Sequence, residues 1–414
     1  MLSADEALAR ILATVAPLDP MRAPLLEAAG RVLAEPIVAR RRLPGFDNSA
    51  MDGYAVCAAD VQKAGTSLPV VDLIAAGDAG DRPLRRGTCA RIFTGAPVPA
   101  GADAIILQED TTRLEDRATF IEAPKPGQHV RRAGSDVQIG DPVLPAGRAL
   151  LPGDLALLAA QGRSQVAVVR PPVVAITSTG DELIDVDGGE PGPGQVVNGN
   201  SIALAAAVAA IGAIPRVLPV LPDDREATLV GLRRAARADA LITTGGASVG
   251  EFDHVTDALR ALGGERFGFW KVAIKPGKPL AFGQIDDCFA FALPGNPISA
   301  LVTFELFVRP ALLRLMGHWR VCRQPVMAIC DAPLSAGGSR QEYLRATVRS
   351  AADGWHVDPQ RSQSSGALSS LAGADALVVV PPGAPARAAG EQVTALILGP
   401  DGPNGRVVPP ATGR

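Results

Sequence analysis

The sequence predicts a multidomain α/β protein built on a central open, mostly parallel sheet with helices on both faces. Three observations predict it. Over residues 171–320 short apolar runs alternate with helical stretches, the rhythm of a parallel sheet with crossover helices. On either side the apolar runs shorten and are punctuated by Gly and Pro, which predicts a β-rich domain over 45–139 and a small β-barrel over 321–400. A chain of 414 residues is also too long for one ordinary core, so two to four domains are expected. The remainder, 1–44 and 140–170, reads as a helical and extended linker domain, and 401–414, rich in Gly and Pro, as a disordered tail.

Taken in order, 5–15 is an amphipathic helix with Ala7, Leu8, Ile11, Leu12 and Val15 on one side. Ser3 is placed to cap it, and Glu6 to complete a capping box. Residues 32–38 read as extended. Strands of the β-rich domain fall at 70–75, 89–93, 104–107 and 119–121. A helix follows Leu151-Pro152-Gly153-Asp154, and Pro171-Pro172 marks a boundary. The central domain then reads as strand 173–177, a helix to Ile211 capped by Asn200 or Ser201, strand 217–221, helix 229–236, strand 240–243, helix 255–262, strand 289–293 and a helix from Ile298. Barrel strands are expected at 326–330, 342–348, 355–358, 377–380 and 393–398.

The candidate site lies between 240 and 297. Two glycine-rich turns each sit between a strand and a helix: Thr244-Gly245-Gly246-Ala247-Ser248-Val249-Gly250 and Leu293-Pro294-Gly295-Asn296-Pro297. Strand, glycine turn and helix start bring free N–H groups to an anion. Between the turns lie Lys271, Lys275 and Lys278, three of only five lysines in a chain that otherwise uses arginine. A compact ammonium suits a phosphate or oxyanion; the competing reading is a basic strand edge facing water. Glu182, Asp223 and Asp253 also fall at strand ends, where open sheets bind ligands. Asp181 and Asp224, beside two of them, read as cap or turn residues. Pro294 and Pro297 read as rigid shaping residues and Trp270 as core. Carboxylates beside a phosphate cradle imply Mg²⁺ bridging a polyphosphate. No Walker A sequence, dinucleotide fingerprint or nucleophile elbow is present. The residues alone therefore indicate Mg²⁺-dependent phosphate-anhydride chemistry on a nucleotide-bearing ligand, which spacing does not name.

Outside the central domain, 44–56 combines turn formers, acids and aromatics, as site-bearing loops do. Arg131-Arg132-Ala133-Gly134-Ser135-Asp136 fits a surface turn with local ion pairs or a ligand site equally well. A net charge of −3 argues against a nucleic-acid-coating surface, no stretch has the length and apolarity of a membrane span, and the start lacks a signal peptide, so cytoplasm is the expectation. Five widely spaced cysteines are not a disulfide framework. Buried reduced thiols fit them better than a zinc site built from His318, Cys322 and Cys330.

The motifs Phe46-Asp47-Asn48-Ser49-Ala50-Met51-Asp52-Gly53-Tyr54-Ala55, Thr94-Gly95-Ala96-Pro97-Val98-Pro99, Ser178-Thr179-Gly180-Asp181-Glu182-Leu183, Thr244-Gly245-Gly246, Lys275-Pro276-Gly277-Lys278-Pro279 and Leu293-Pro294-Gly295-Asn296-Pro297 occur in this order. Together they closely resemble the molybdopterin molybdenumtransferase family, the MoeA type, which includes the gephyrin E domain. The resemblance implies a molybdopterin-binding central domain and an elongated four-domain homodimer. It implies Mg²⁺-dependent insertion of molybdate into adenylated molybdopterin, with release of AMP. The adenylyltransferase and downstream cofactor-modifying or molybdoenzyme-maturation proteins would be its partners, with no nucleic acid and no membrane. The catalytic positions it implies are Asp52, Thr94, Asp136, Glu182, Asp223, Asp253, Lys271 and Lys275, with Glu182 and Asp223 on the metal. Ligand-binding positions are Gly245, Gly246, Ser248, Lys278, Pro294, Gly295, Asn296, Pro297, Arg345 and Ser365. Ser362-Gln363-Ser364-Ser365 departs from the family's histidine-containing version. Two other readings remain at this stage: a non-catalytic molybdopterin-binding scaffold of the same fold, and a molybdopterin adenylyltransferase.

Overall fold

The structure, a computed structural model, describes residues 1–245 and 254–399. Gly246, Ser248 and Asp253, and the tail 401–414, lie outside the described residues. At the centre stands a six-stranded sheet in the spatial order Ile214–Val217, Val173–Ser178, Ala240–Thr244, Cys288–Leu293, Pro279–Ile285, Gly268–Lys271. The first four strands run parallel and the last two are antiparallel additions at one edge. Successive residues of a strand point to opposite faces. Val174, Ile176, Ala240 and Ile242 therefore enter one core, with helix Gly199–Ala210, and Ala175 and Leu241 the other, with helices Arg225–Ala235 and His254–Gly263. Burial on both faces explains why these strands are continuous apolar runs.

Helix Ala4–Thr14 forms as its sequence indicates, with the reciprocal Ser3–Glu6 capping box. Its apolar stripe, Ala7 and Ile11 with Val15 just beyond, packs onto the central core. Leu2 extends the contact by bonding both ways with the backbone of Lys271 and Ala273. Pro20–Pro24 pairs with Gln165–Val169, and Ile37–Val38 with Pro142–Leu144, so the segments flanking the β-rich unit close on each other. The β-rich unit is a six-stranded sheet in the order Ala104–Leu107, Gly53–Val56, Cys89–Ile92, Ser67–Ile74, Arg117–Phe120, Thr111–Leu114. Near the C-terminus, Gln341–Ala351, Gly354–Pro359, Pro325–Cys330, Gln392–Ile397 and Ala376–Val380 close into a five-stranded barrel, the last strand returning to the first.

Four local expectations need correction. The helix Gly199–Ala210 is capped by Asn198, not Asn200 or Ser201: the Asn198 side chain accepts the Ser201 N–H, and Asn200 bonds elsewhere. The strand expected at 217–221 is found at Ile214–Val217. Beyond it only Leu218 and Leu221 donate to the neighbouring strand, since Pro219 and Pro222 carry no N–H. The helix expected at 229–236 begins at Arg225, where Asp224 caps it by accepting the Ala227 N–H. Finally, the expectation of buried thiols fails for Cys322, which is exposed, and in part for half-buried Cys57; Cys89, Cys288 and Cys330 are buried. Burial pushes the Cys89 and Cys288 thiols up to about 12. Among the described residues no helix is long and apolar enough to cross a membrane.

One titrating cluster stands on the barrel. His356 places Nδ1 2.7 Å from Asp331 and Nε2 2.9 Å from Asp353, with the Arg349 guanidinium 2.8 Å from Nδ1. The Asp331 bond and then the Asp353 bond raise the imidazole above its usual range, while burial and Arg349 oppose them. A raised pKa contributes stability that is complete below the unfolded value, about 6.5, and is lost as pH climbs through the folded one. His356→Gln should therefore lower the thermal midpoint more at pH 5.5 than at pH 8.5. An equal loss at both would remove the charged imidazole from the barrel's stability.

Candidate active site

Three adjacent parallel strands end together, and their last residues bear the motifs. Ser178 and Thr244 share a hydroxyl hydrogen bond of 2.7 Å, and Ser178 donates to Asn198 at 3.2 Å. The Thr179 N–H donates to the Thr244 carbonyl. Gly245 follows at φ +88°, a left-handed conformation that glycine tolerates. A Cβ there would stand 2.7 Å from the Thr179 carbonyl oxygen, so a side chain is excluded from the turn. Asn200 donates from Nδ2 to the Gly295 carbonyl at 2.7 Å, tying the start of one helix to the second glycine turn. That turn then enters helix Pro297–Thr303 with Asn296 as N-cap and Pro297 in the first turn, where proline's missing N–H costs no bond. Pro294 is buried.

The carboxylates arrive on neighbouring loops. Asp181 accepts the Asp223 N–H at 3.0 Å, which makes it a turn residue and holds the loops of Glu182 and Asp223 together. Glu182 and Asp223 are both exposed. The lysines stand at the antiparallel edge of the same sheet end. Lys271 closes its edge strand opposite Pro279, and Ile274–Lys275 leaves the sheet to pair with Gln341–Glu342 of the barrel. All three lysines are exposed. Lys275 Nζ bonds Glu342 at 3.1 Å; Lys271 and Lys278 have no acid partner among the described residues. Trp270 packs half-buried against Phe282 of the core, with ring centroids 6.1 Å apart.

The barrel reaches the same place. The Ser365 hydroxyl lies 3.5 Å from Asn296 Nδ2. Arg345 is fully buried in the barrel wall; its guanidinium donates to Ser370 Oγ and to the carbonyls of Ser362 and Ser364. Arg345 thus holds the loop that carries Ser365. An open cleft of about 1010 Å³ at this end of the barrel has Lys275 and Glu342 on its wall.

The β-rich unit holds a second cluster. The Asp52 carboxylate accepts both the Thr94 N–H, at 2.7 Å, and the Thr94 hydroxyl, at 2.8 Å. These two bonds, aided by Arg91, hold Asp52 below the usual carboxylate range. Asp136 lies on an adjoining exposed loop, whose Ala133 N–H and Arg132 guanidinium are held by Asp47. No hydrogen bond, ion pair or strand pairing among the described residues joins this cluster to the strand ends. Sequence reasoning missed Asn198, Asn200, Glu342 and Arg91. For Asn200 the spacing to a helix start was a signal, but it indicated a cap.

Fold and site together define a multidomain α/β protein in which hydroxyls, carboxylates and lysines gather at one end of the central sheet. The chain matches three family models: the MoeA N-terminal region (domain I and II) over residues 2–162, the probable molybdopterin binding domain over 175–314, and the MoeA C-terminal region (domain IV) over 327–398. A molybdopterin molybdenumtransferase of Haemophilus influenzae is 40% identical over 350 residues, covering 83% of this chain and 85% of the relative. One from a Nostoc species is 38% identical over 390 residues, 90% of this chain and 88% of the relative. The crystal structure of a molybdopterin biosynthesis MoeA protein from Pyrococcus horikoshii superposes with a TM-score of 0.82 at 30% identity, covering 96% of this chain and 99% of that one. The chain belongs to the molybdopterin molybdenumtransferase family.

Proposed function

We propose that this chain inserts molybdate into adenylated molybdopterin, releasing AMP and forming molybdenum cofactor. The observation that carries the reading is the convergence of hydroxyls, glycine turns, carboxylates and lysines on one sheet end. Relatives of that name, matched over most of their length, favour insertion over a scaffold or an adenylyltransferase.

Lys271, Lys275 and Lys278 hold the pterin phosphate or the molybdate oxyanion as point charges. The N–H groups of the second glycine turn orient the phosphates, and Ser365, beside Asn296 of that turn, closes the cradle from the barrel side. Among the described residues no group of three or more His, Cys, Asp or Glu could hold a metal ion. Two hard carboxylates on tied loops nevertheless fit Mg²⁺, which binds through one or two carboxylates plus substrate phosphates. Glu182 and Asp223 would hold it, and when bound it neutralises charge developing on the phosphoanhydride. Positioning molybdate against the pterin dithiolene is the remaining task, and effective concentration is its main resource.

Asp52, Thr94 and Asp136 act from the second domain of a partner subunit in a homodimer; the reading is supported by their place in the β-rich unit, which no hydrogen bond, ion pair or strand pairing among the described residues joins to the strand ends. The division into 1–44 with 140–170, 45–139, 171–320 and 321–400 is proposed on the same footing, supported by the pairing of 20–24 with 165–169.

Purified protein given adenylated molybdopterin, Mg²⁺ and molybdate should release AMP only when molybdate is present. Glu182→Ala should lower that rate about 100-fold. AMP release independent of molybdate, or undiminished in the variant, would reject the assignment. Sedimentation of the same preparation as a monomer would remove the cross-subunit placement.

A further inference from the structure

We infer that Arg91 is a positioning residue that fixes the Asp52–Thr94 pair in its working geometry. The inference rests on reading that pair as part of the site. Arg91 grips both sides of the pair without bonding the Asp52 carboxylate. Its Nη1 donates to the carbonyl of Gly53, the residue after Asp52, at 3.0 Å. Its guanidinium carbon stands 5.0 Å from the ring centroid of Phe93, the residue before Thr94. The same carbon lies 5.1 Å from the Tyr54 ring. That ring is held in turn edge-on to Phe120, at 6.1 Å, in the core of the β-rich unit.

Strand pairing sets this up. Tyr54 stands opposite Arg91, and Gly53 opposite Ile92, in the antiparallel ladder between Gly53–Val56 and Cys89–Ile92. Asp52, one residue before Gly53, and Thr94, two residues after Ile92, therefore lie just past the same end of this ladder, where strands fray unless something clasps them. A planar guanidinium over two rings, with directed N–H bonds, suits that task; an ammonium does not. The second Nη donates to Gln108 Oε1, Gln108 Nε2 donates to Glu109 at 3.0 Å, and the Gln108 N–H donates to the Asp52 carbonyl. Glu109 is thus a second carboxylate near Asp52, and Arg91 is the cation that faces both.

The test uses the full chain with Arg91→Met and Arg91→Lys, and reads Asp52 by carbon-13 NMR titration of labelled aspartate, with Asp52→Asn to assign the resonance. Arg91→Met should shift the Asp52 titration upward, and Arg91→Lys, which keeps the charge but not the clasp, should recover only part of the shift. In molybdate-dependent AMP release both variants should lose about 10- to 100-fold in kcat, with KM for adenylated molybdopterin within about twofold of the parent. Full rescue of titration and kcat by lysine would reduce Arg91 to a charge and overturn the inference. So would a folded Arg91→Met with an unmoved Asp52. If the methionine variant does not fold, an unmoved titration and kcat in Arg91→Lys decide against it alone. Full turnover by Asp52→Asn would instead take the pair out of the reaction, while the titration still reports the clasp.

Discussion

Gly53→Ala unfolds the β-rich unit and with it the Asp52–Thr94 cluster. A Cβ at this position would stand 2.0 Å from the Ile106 carbonyl oxygen and 2.9 Å from its carbon. Those atoms are backbone in the middle of a ladder, with Tyr54 paired opposite Ile106, so no side chain can swing aside. The methyl must push strand Gly53–Val56 off Ala104–Leu107. All four residues of Gly53–Val56 are buried, and Tyr54 and Val56 belong to the unit's core. A clash that breaks a central pairing falls among the few substitutions that cost about 4 kcal/mol or more. Gly95→Ala is the control. Gly95 has φ +82° but open space where its Cβ would go, so it adds only backbone strain, on the order of 1 kcal/mol. Hydrogen exchange should show the amides of 45–139 unprotected in Gly53→Ala and near native in Gly95→Ala. Native protection in both would mean that the sheet can absorb the methyl.

The contrast between these two glycines shows what a sequence discloses and what it withholds. Gly95 announces a turn through its neighbours Ala96 and Pro97, and the turn is there. Gly53 sits in 44–56, which reads as a loop, whereas Gly53–Val56 is a strand; the need for glycine comes from Ile106, which only the ladder brings beside it. The three central strands Val173–Ser178, Ala240–Thr244 and Cys288–Leu293 were legible because each is apolar on both faces and ends at a turn former. Parallel strands with crossover helices must gather those ends on one side, so Ser178, Thr244 and Leu293 come together without any knowledge of distance. Arg91 was illegible for the same reason as Gly53: its partners are cross-strand neighbours, and period-two patterns do not reveal register. The N-cap was misplaced because 198–201 offers three side chains that can cap, Asn198, Asn200 and Ser201, and only the Gly295 carbonyl shows that Asn200 is occupied elsewhere. The lysine run read as a ligand cradle or as a solvated edge. Its exposure fits either, but its Glu342 partner lies 67 residues away in another unit, beyond any local signal.

Lys275→Glu should abolish binding of adenylated molybdopterin, and the reason separates two jobs of one side chain. Lys275 ends a short strand that carries the central unit onto the barrel, where the Gln341 N–H donates to the Ala273 carbonyl and Arg340 to that of Ile274. Its ammonium meets Glu342 at 3.1 Å while remaining half exposed, so the pair contributes at most about 1 kcal/mol to the joint. Reversal sets two carboxylates against each other there and also faces the ligand's phosphates with negative charge. Losing one charged contact and gaining a repulsion should weaken binding more than 100-fold, about 3 kcal/mol. The exchanged pair Lys275→Glu with Glu342→Lys settles which job matters. It restores the ion pair and should restore the parent's thermal midpoint, yet it leaves the cradle wall with its charges transposed. Calorimetric titration should therefore find the exchanged variant folded and still at least tenfold weaker for the ligand. Recovery of parental affinity would mean that Lys275 serves the joint to the barrel, and that the anion is held by Lys271 and Lys278 without it.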